Sequence, residues 1–311
     1  MGPEAMAAAV LVLGSLHLDL VVEAPHLPAR DETVMGSAAT WRFGGKGGNQ
    51  AVAAARMGAR VAMAGRVGRD GAAATLIAAL DAAGVDRAGV LASEGATGIS
   101  VAIIETAGDY GAVVVSGVNR QVTGAEAALP AGPAVIVMQN EVPEAANRAL
   151  ADRRRPGDRL VLNAAPARAV APALLAALDL LVVNRIEAAA MTGTPPGALD
   201  AVAAAERLRA LGPRAVVVTL GAQGLVLAAP GARPLPMPAH PVPVVSTHGA
   251  GDAFTGALAA ELARGAGLAA ACHFAAAAAA LTVASHPEAR AGLTAAAARA
   301  LADRGLPGQS R

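Results

Sequence analysis

Residues 159–192 read RLVLNAAPARAVAPALLAALDLLVVNRIEAAAMT, and the fold class turns on this stretch. Two apolar runs of strand length, Arg159–Leu162 and Leu180–Val183, show no alternation with polar residues. Pro172–Ala177 and Ile186–Thr192 have helical length and are rich in alanine and leucine. An apolar strand without alternation is buried on both faces, and helices above and below a parallel sheet provide that burial. The rhythm continues outward in both directions. Val10–Leu13, Val61–Ala64, Ala134–Met138 and Ala215–Leu220 read as further strands. Asn49–Met57, Ala72–Ala83, Pro143–Ala151, Ala198–Leu211 and Ala253–Arg264 read as further helices. The class is α/β, with a mostly parallel sheet.

Two segments break this rhythm. Leu18–Glu23 followed by Glu32–Phe43, and then Gly98–Val115, carry β-branched alternation with no helix between. They are expected to form a small separate sheet, inserted after the first and third core strands. No Pro/Ser-rich linker sets them apart, so residues 1–311 read as one domain whose lid comprises about 16–43 and 97–118.

A formal net charge of +1 excludes the basic stripe of a nucleic-acid binder. No signal-peptide pattern is found. The apolar stretch Ala269–Ala284 contains His273 and reads as a core helix, not a membrane span. Cys272 stands alone, which leaves no disulfide framework and no zinc cluster. A cytoplasmic protein is expected. Lys46 is the only lysine in the chain, and a compact ammonium is not interchangeable with arginine where space is tight.

Ligands of open parallel sheets bind beyond the carboxyl ends of the strands. The polar residues at those ends are Ser15, His17 and Asp19, then Gln139, Asn140 and Glu141, then Asn163, Asn184, Glu187 and Thr219, with the Ser246–Asp252 loop last. The strongest feature is Thr247-His248-Gly249-Ala250-Gly251-Asp252-Ala253-Phe254. Small residues here lead into a helix whose first N–H groups have no intrahelical partner and form an anion site. Asp252 beside that site fits two roles, an ordinary N-cap or a base for an attacking hydroxyl. Gly47 follows Lys46, so Gly44–Gly48 is not a Walker A loop, which needs Ser or Thr there. The first strand runs into Gly14-Ser15-Leu16, without the dinucleotide fingerprint, and no H-R-D triplet of protein kinases occurs.

Gly44-Gly45-Lys46-Gly47-Gly48-Asn49-Gln50-Ala51-Val52-Ala53-Ala54-Ala55 and Gly249-Ala250-Gly251-Asp252, in this order, resemble the two signatures of the ribokinase-like carbohydrate kinases of the phosphofructokinase-B type. The likeness spans nearly the whole chain and is strongest to the ribose-phosphorylating members. It implies a doubly wound sheet with a β-lid that closes over substrate, ATP with Mg²⁺, and a homodimer joined through the lids. It further implies that Asp252 is the catalytic base and that Gly249, Ala250 and Gly251 form the anion hole. Asp19, Gly45, Lys46, Asn49 and Glu141 fall where the family holds the sugar, with His17 beside them. Asn184, Thr219, Gly221 and Gly224 fall where it holds ATP, and Glu187 where an acidic residue organises magnesium through water.

Three departures stand out. The ribose-phosphorylating members have asparagine where His17 stands. The family usually has aspartate at Ser246, where it helps hold a monovalent cation, and glycine near Pro287 in the partner loop. Ser246 is therefore a poor cation ligand, and weak dependence on potassium is expected. Ribose is the favoured acceptor, its hydroxymethyl group receiving the γ-phosphate. A different sugar, a nucleoside, or a non-catalytic sensor on the same fold are the alternatives.

Overall fold

The computed structural model describes residues 9–105 and 110–304. The strands are β1 (Ala9–Leu13), β2 (His17–Ala24), β3 (Ala38–Gly44), β4 (Val61–Val67), β5 (Asp86–Ala92), β6 (Gly98–Glu105), β7 (Tyr110–Val115), β8 (Ala134–Gln139), β9 (Arg159–Asn163), β10 (Leu180–Asn184), β11 (Ala215–Thr219), β12 (Leu225–Ala228) and β13 (Leu235–Met237). The helices are α1 (Lys46–Arg56), α2 (Gly71–Ala82), α3 (Glu144–Ala151), α4 (Pro172–Ala177), α5 (Arg185–Thr192), α6 (Ala201–Ala210), α7 (Ala250–Ala263), α8 (Leu268–Val283) and α9 (Ala295–Arg304).

Nine strands form one sheet in the order β13-β12-β11-β10-β9-β8-β1-β4-β5, antiparallel only where β12 and β13 join. Successive side chains of each strand point to opposite faces. Val10 and Val12 accordingly enter one core layer with α1, α2, α7, α8 and α9, while Leu11 and Leu13 enter the other with α3 to α6. The sheet is doubly wound. From β1 the chain builds outward through β4 and β5, then returns to β8 on the other side of β1 and builds the opposite way. This reversal places a crevice at the carboxyl ends of β1 and β8, where ligands of such sheets bind.

The small second sheet has the order β3-β2-β6-β7 and comes from the two segments that break the α/β rhythm. Residues 106–109 of the expected Gly98–Val115 stretch, and residues 1–8 and 305–311 at the ends of the chain, lie outside the described residues.

Several boundaries differ from the sequence reading for local reasons. β3 begins at Ala38 and not at Glu32, because Glu32 accepts hydrogen bonds from Ala29 N and pairs with His26 in a loop of its own. α1 begins three residues before Asn49: Gly45, at φ 84°, turns the chain so that Gly47 and Gly48 lie inside the first turn despite their poor helix propensity. Asp200 splits the expected Ala198–Leu211 helix by capping the amides of Val202 and Ala203. β5, β12 and β13 carry no legible strand pattern, β5 being a largely exposed edge and β13 only three residues with a proline. α8, nine of whose sixteen residues are alanine, packs against α7 and α9 as a core helix. No helix among the described residues is long and apolar enough to cross a membrane.

Candidate active site

The crevice is held by a close approach of α1 to the β1–β2 connection. Gly45 caps α1 in a conformation that favours glycine, and a Cβ there would come within 2.7 Å of His17 N. A Cβ on Gly47 would meet Gly14 and Ser15 backbone at 2.6 Å. Glu141, just past β8, fastens the junction. Its Oε2 accepts from Lys46 N at 2.8 Å and from Ser15 Oγ at 2.5 Å. Gly45, Lys46 and Glu141 are thus brought together as expected from the sequence.

His17 and Asp19 open β2 and are regularly paired with β3 and β6, so they belong to the second sheet and not to the end of β1. His17 is 2 % exposed, with Nδ1 3.6 Å from Glu141 Oε2 and Nε2 unpartnered. Burial lowers its pKa below the usual value, which keeps the imidazole neutral. Asp19 accepts from Ser100 Oγ at 2.6 Å, and burial raises its pKa.

Asp252 lies in the first turn of α7, two residues beyond its first residue Ala250. The helix is capped by Gly249 in the left-handed region, with no side-chain cap at all. Asp252 is therefore not the N-cap. It is 8 % exposed and turns towards α1. Its Oδ1 accepts from Gln50 Nε2 at 2.9 Å, and its Oδ2 from Asn49 Nδ2 at 3.4 Å. Burial pushes its pKa up, against the opposing pull of the Lys46 charge and these amides. A cleft of about 380 Å³ joins Asp19, Asn49, Gly249 and Asp252.

Asn184 and Thr219 end neighbouring strands and stand opposite each other in the β10–β11 register. Asn184 caps α5: its Oδ1 accepts from Glu187 N, and Glu187 accepts in return from Asn184 N and Nδ2. Glu187 is buried with its pKa raised by that burial, while the Lys46 charge favours its ionised form. Gly221 has open space at its Cβ position, whereas a Cβ on Gly224 would come within 2.0 Å of Met237 O. Ser246 offers its carbonyl, not its hydroxyl, to a partner discussed below.

Some residues of the site were not singled out from the sequence. Gln50 is the hub of the buried polar chain: its Nε2 donates to both Asp252 and Asn163, and its Oε1 accepts from Gln139. It stands in the glycine motif but looks there like any helical polar residue. Arg42, Arg56, His248 and Arg290 line the same cleft. Arg42 stands opposite Asp19 in the β2–β3 register, a placement visible only once that register is known.

An uncapped helix N-terminus beside a buried carboxylate, at the switch point of a doubly wound sheet, is the equipment of a phosphotransferase acting on a hydroxyl. The model of the pfkB family carbohydrate kinases matches residues 7–294, and the chain belongs to that family. It is an ATP-dependent carbohydrate kinase. The ribokinase of Bacillus subtilis is 36% identical over 281 residues, covering 89% of this chain and 93% of that protein. The ribokinase of Mus musculus is 36% identical over 270 residues, covering 84% and 83%. The structure of Arabidopsis thaliana ribokinase complexed with ribose and ATP superposes with a TM-score of 0.84 at 28% identity, covering 96% of this chain and 99% of that one.

Proposed function

We propose that the chain transfers the γ-phosphate of ATP to a hydroxymethyl group of a sugar, with ribose the leading acceptor. The observation that carries the reading is Asp252, buried beside Asn49 at the uncapped start of α7. Its carboxylate takes the hydroxyl proton, the freed oxygen bonds to the γ-phosphorus, and the bond to the β-phosphate oxygen breaks to release ADP. The amides after Gly249 face the charge that develops on the γ-phosphoryl group. Burial raises the Asp252 pKa, and the ammonium of Lys46 with the amides of Gln50 and Asn49 favours the ionised form against it.

Asp19, Asn49, Gly45, Lys46 and Glu141 surround the acceptor in this reading, and the unpartnered Nε2 of His17 is left for one of its hydroxyls. The nucleotide lies along Asn184, Thr219, Gly221 and Gly224. Each Glu187 oxygen takes one hydrogen bond and retains a second lone pair, which fits water-mediated contact with Mg²⁺. The metal, when bound, neutralises phosphate charge. A homodimer through the lids is supported by Val113, Val114 and Val115, all exposed on the edge strand β7, and sedimentation equilibrium at micromolar protein tests it. Use of ATP supports a location in the cytoplasm.

One observation favours a second acceptor class. Arg42 Nε is buried without a partner, and neither Arg42 nor Arg56 makes an ion pair among the described residues, although both line the cleft with Asp252. Two guanidinium groups without carboxylate partners suit a sugar that carries a carboxylate or phosphate. Coupled ADP release over a panel of neutral sugars, sugar acids and sugar phosphates decides. Ribose is expected to give the highest kcat/KM; a charged sugar ahead of it establishes the second reading. No turnover of any sugar leaves the non-catalytic sensor and overturns the proposal.

A further inference from the structure

The loop that leads into α7 and the turn that follows α8 meet at a single side chain. Arg290 lies in a short 3₁₀ segment, Pro287–Gly292. Its Nη1 donates to His248 O at 2.8 Å, its Nη2 to Ser246 O at 3.2 Å and its Nε to Ser285 O at 3.3 Å. Three backbone carbonyls from two separate loops therefore converge on one positive charge. Oxygen ligands gathered in this way are what a hard cation requires. Here the planar guanidinium, charged at every accessible pH and carrying five donors, satisfies them instead.

The surroundings agree with a cation that is held by carbonyls and not by an acid. Arg290 makes no ion pair among the described residues. Burial lowers its pKa, as do the like charges of Arg42 and Arg56, and only Glu288 acts the other way. Ser246 supplies no carboxylate, and its amide, like that of Val245, is tied to Val283 O at the end of α8. A free monovalent cation does not fit where these carbonyls converge, because the guanidinium already occupies that point and its charge repels a second cation.

We propose that Arg290 is a tethered internal cation that replaces a free monovalent cation beside the anion site. It pins Ser246 and His248, and so fixes Gly249, whose Cβ position is 3.7 Å from Arg290 Nη1. The first amides of α7 follow directly, which makes Arg290 a positioning residue for phosphoryl transfer. Its charge also adds to the field felt by the transferred group. The sequence departures at Ser246 and Pro287 predict weak potassium dependence; the geometry supplies the reason and names the substitute. The catalytic part of this inference rests on the kinase reading, but the structural part does not.

The test compares wild type, Arg290→Ala and Arg290→Lys in potassium chloride and in tetramethylammonium chloride at matched ionic strength. The readouts are melting temperature and kcat/KM for the best acceptor. Wild type is expected to show the same values in both salts. Arg290→Ala is expected to lose roughly ten- to a hundredfold in kcat/KM in the organic salt, the scale of a small misplacement of catalytic groups. Potassium or millimolar guanidinium should restore much of that loss and raise the melting temperature of this variant alone. Arg290→Lys keeps a tethered charge and should need neither. Potassium-specific activation of wild type overturns the proposal. So does an Arg290→Ala variant that keeps full activity in the organic salt, or one whose deficit and melting temperature ignore both cations. If Arg290→Ala does not fold in either salt, potassium-specific activation of Arg290→Lys overturns it and independence from potassium supports it. Should no sugar be turned over, the melting temperatures still decide whether a cation enters the vacated carbonyls.

Discussion

Helices α5 and α7 each carry an acidic residue in third position, and they use it in opposite ways. In α5 the side chain of Glu187 reaches back to Asn184 N while Asn184 covers the amide of Glu187, a reciprocal capping box. In α7 the cap is Gly249, which has no side chain, and Asp252 turns away from its own helix to Gln50 and Asn49 of α1. The first arrangement satisfies the helix start from within. The second leaves the start of the helix without a side-chain partner and turns the acid into the cleft beside α1, as the proposed transfer requires. A glycine in the cap position gives up only a few tenths of a kcal/mol relative to Ser, Asp or Asn. α1, α3, α4 and α8 likewise lack a side-chain cap, whereas Asn184, Asp70 and Asp200 cap α5, α2 and α6.

The sharpest way to break this contrast is Asp252→Asn. We expect kcat to fall about 10²–10⁴-fold, the usual range for loss of a general base. The fold should not suffer. Burial raises the Asp252 pKa, so the ionised carboxylate weakens the folded state at pH above its unfolded value of 3.8. Asp252→Asn should therefore melt no lower than wild type at neutral pH, and any advantage should fade as the pH falls through that unfolded value. A variant that melts clearly lower, with kcat intact, would return Asp252 to a structural role.

Glu187 is tested by a pair of variants. Glu187→Gln keeps a residue suited to a capping box, so melting should change little. If Glu187 also orders magnesium through water, the concentration of Mg²⁺ needed for half-maximal rate should rise about 10–100-fold, the range for outer-shell partners. An unchanged magnesium requirement would assign Glu187 to capping alone. Asn184→Ala removes the cap and should cost about 1 kcal/mol in denaturant unfolding, a loss that no substitution of Asp252 should reproduce.

The smallest effect is in pH. Asp252 must be ionised to accept a proton, so kcat should fall as the pH drops through its raised pKa, at a pH above the ordinary carboxylate range. Gln50 donates to the ionised form and lowers that pKa. Gln50→Leu should move the acid limb upward. A limb that stays in place would separate the pH dependence from Asp252.

Lys46 and Arg42 show how unevenly the site was legible. Lys46 stands out by rarity alone, and the close backbone approach at its neighbours Gly45 and Gly47 appears only in the structure. Arg42 is one arginine among many, and nothing near it in sequence marks it. It becomes interesting only because β2 and β3 pair in a register that sets it opposite Asp19. Gln50 is hidden in the same way, its partners Gln139 and Asn163 lying at the ends of other strands.

The sequence by itself determined the alternation of buried strands and helices, the separate β segments, and the two glycine motifs with their acid. Each of these is a local property, set by side-chain period, propensity and the freedom of glycine within a few residues. Whether Asp252 caps its helix or faces a reactant was open in the sequence, since both roles want an acid beside an N-terminus. The tertiary structure removed the capping role, because Gly249 holds the cap position and α1 packs close enough for Gln50 and Asn49 to claim the carboxylate. It likewise decided the partners of Arg290, whose three carbonyls are five to forty-four residues away in sequence and meet only when α8 returns its chain to the start of α7.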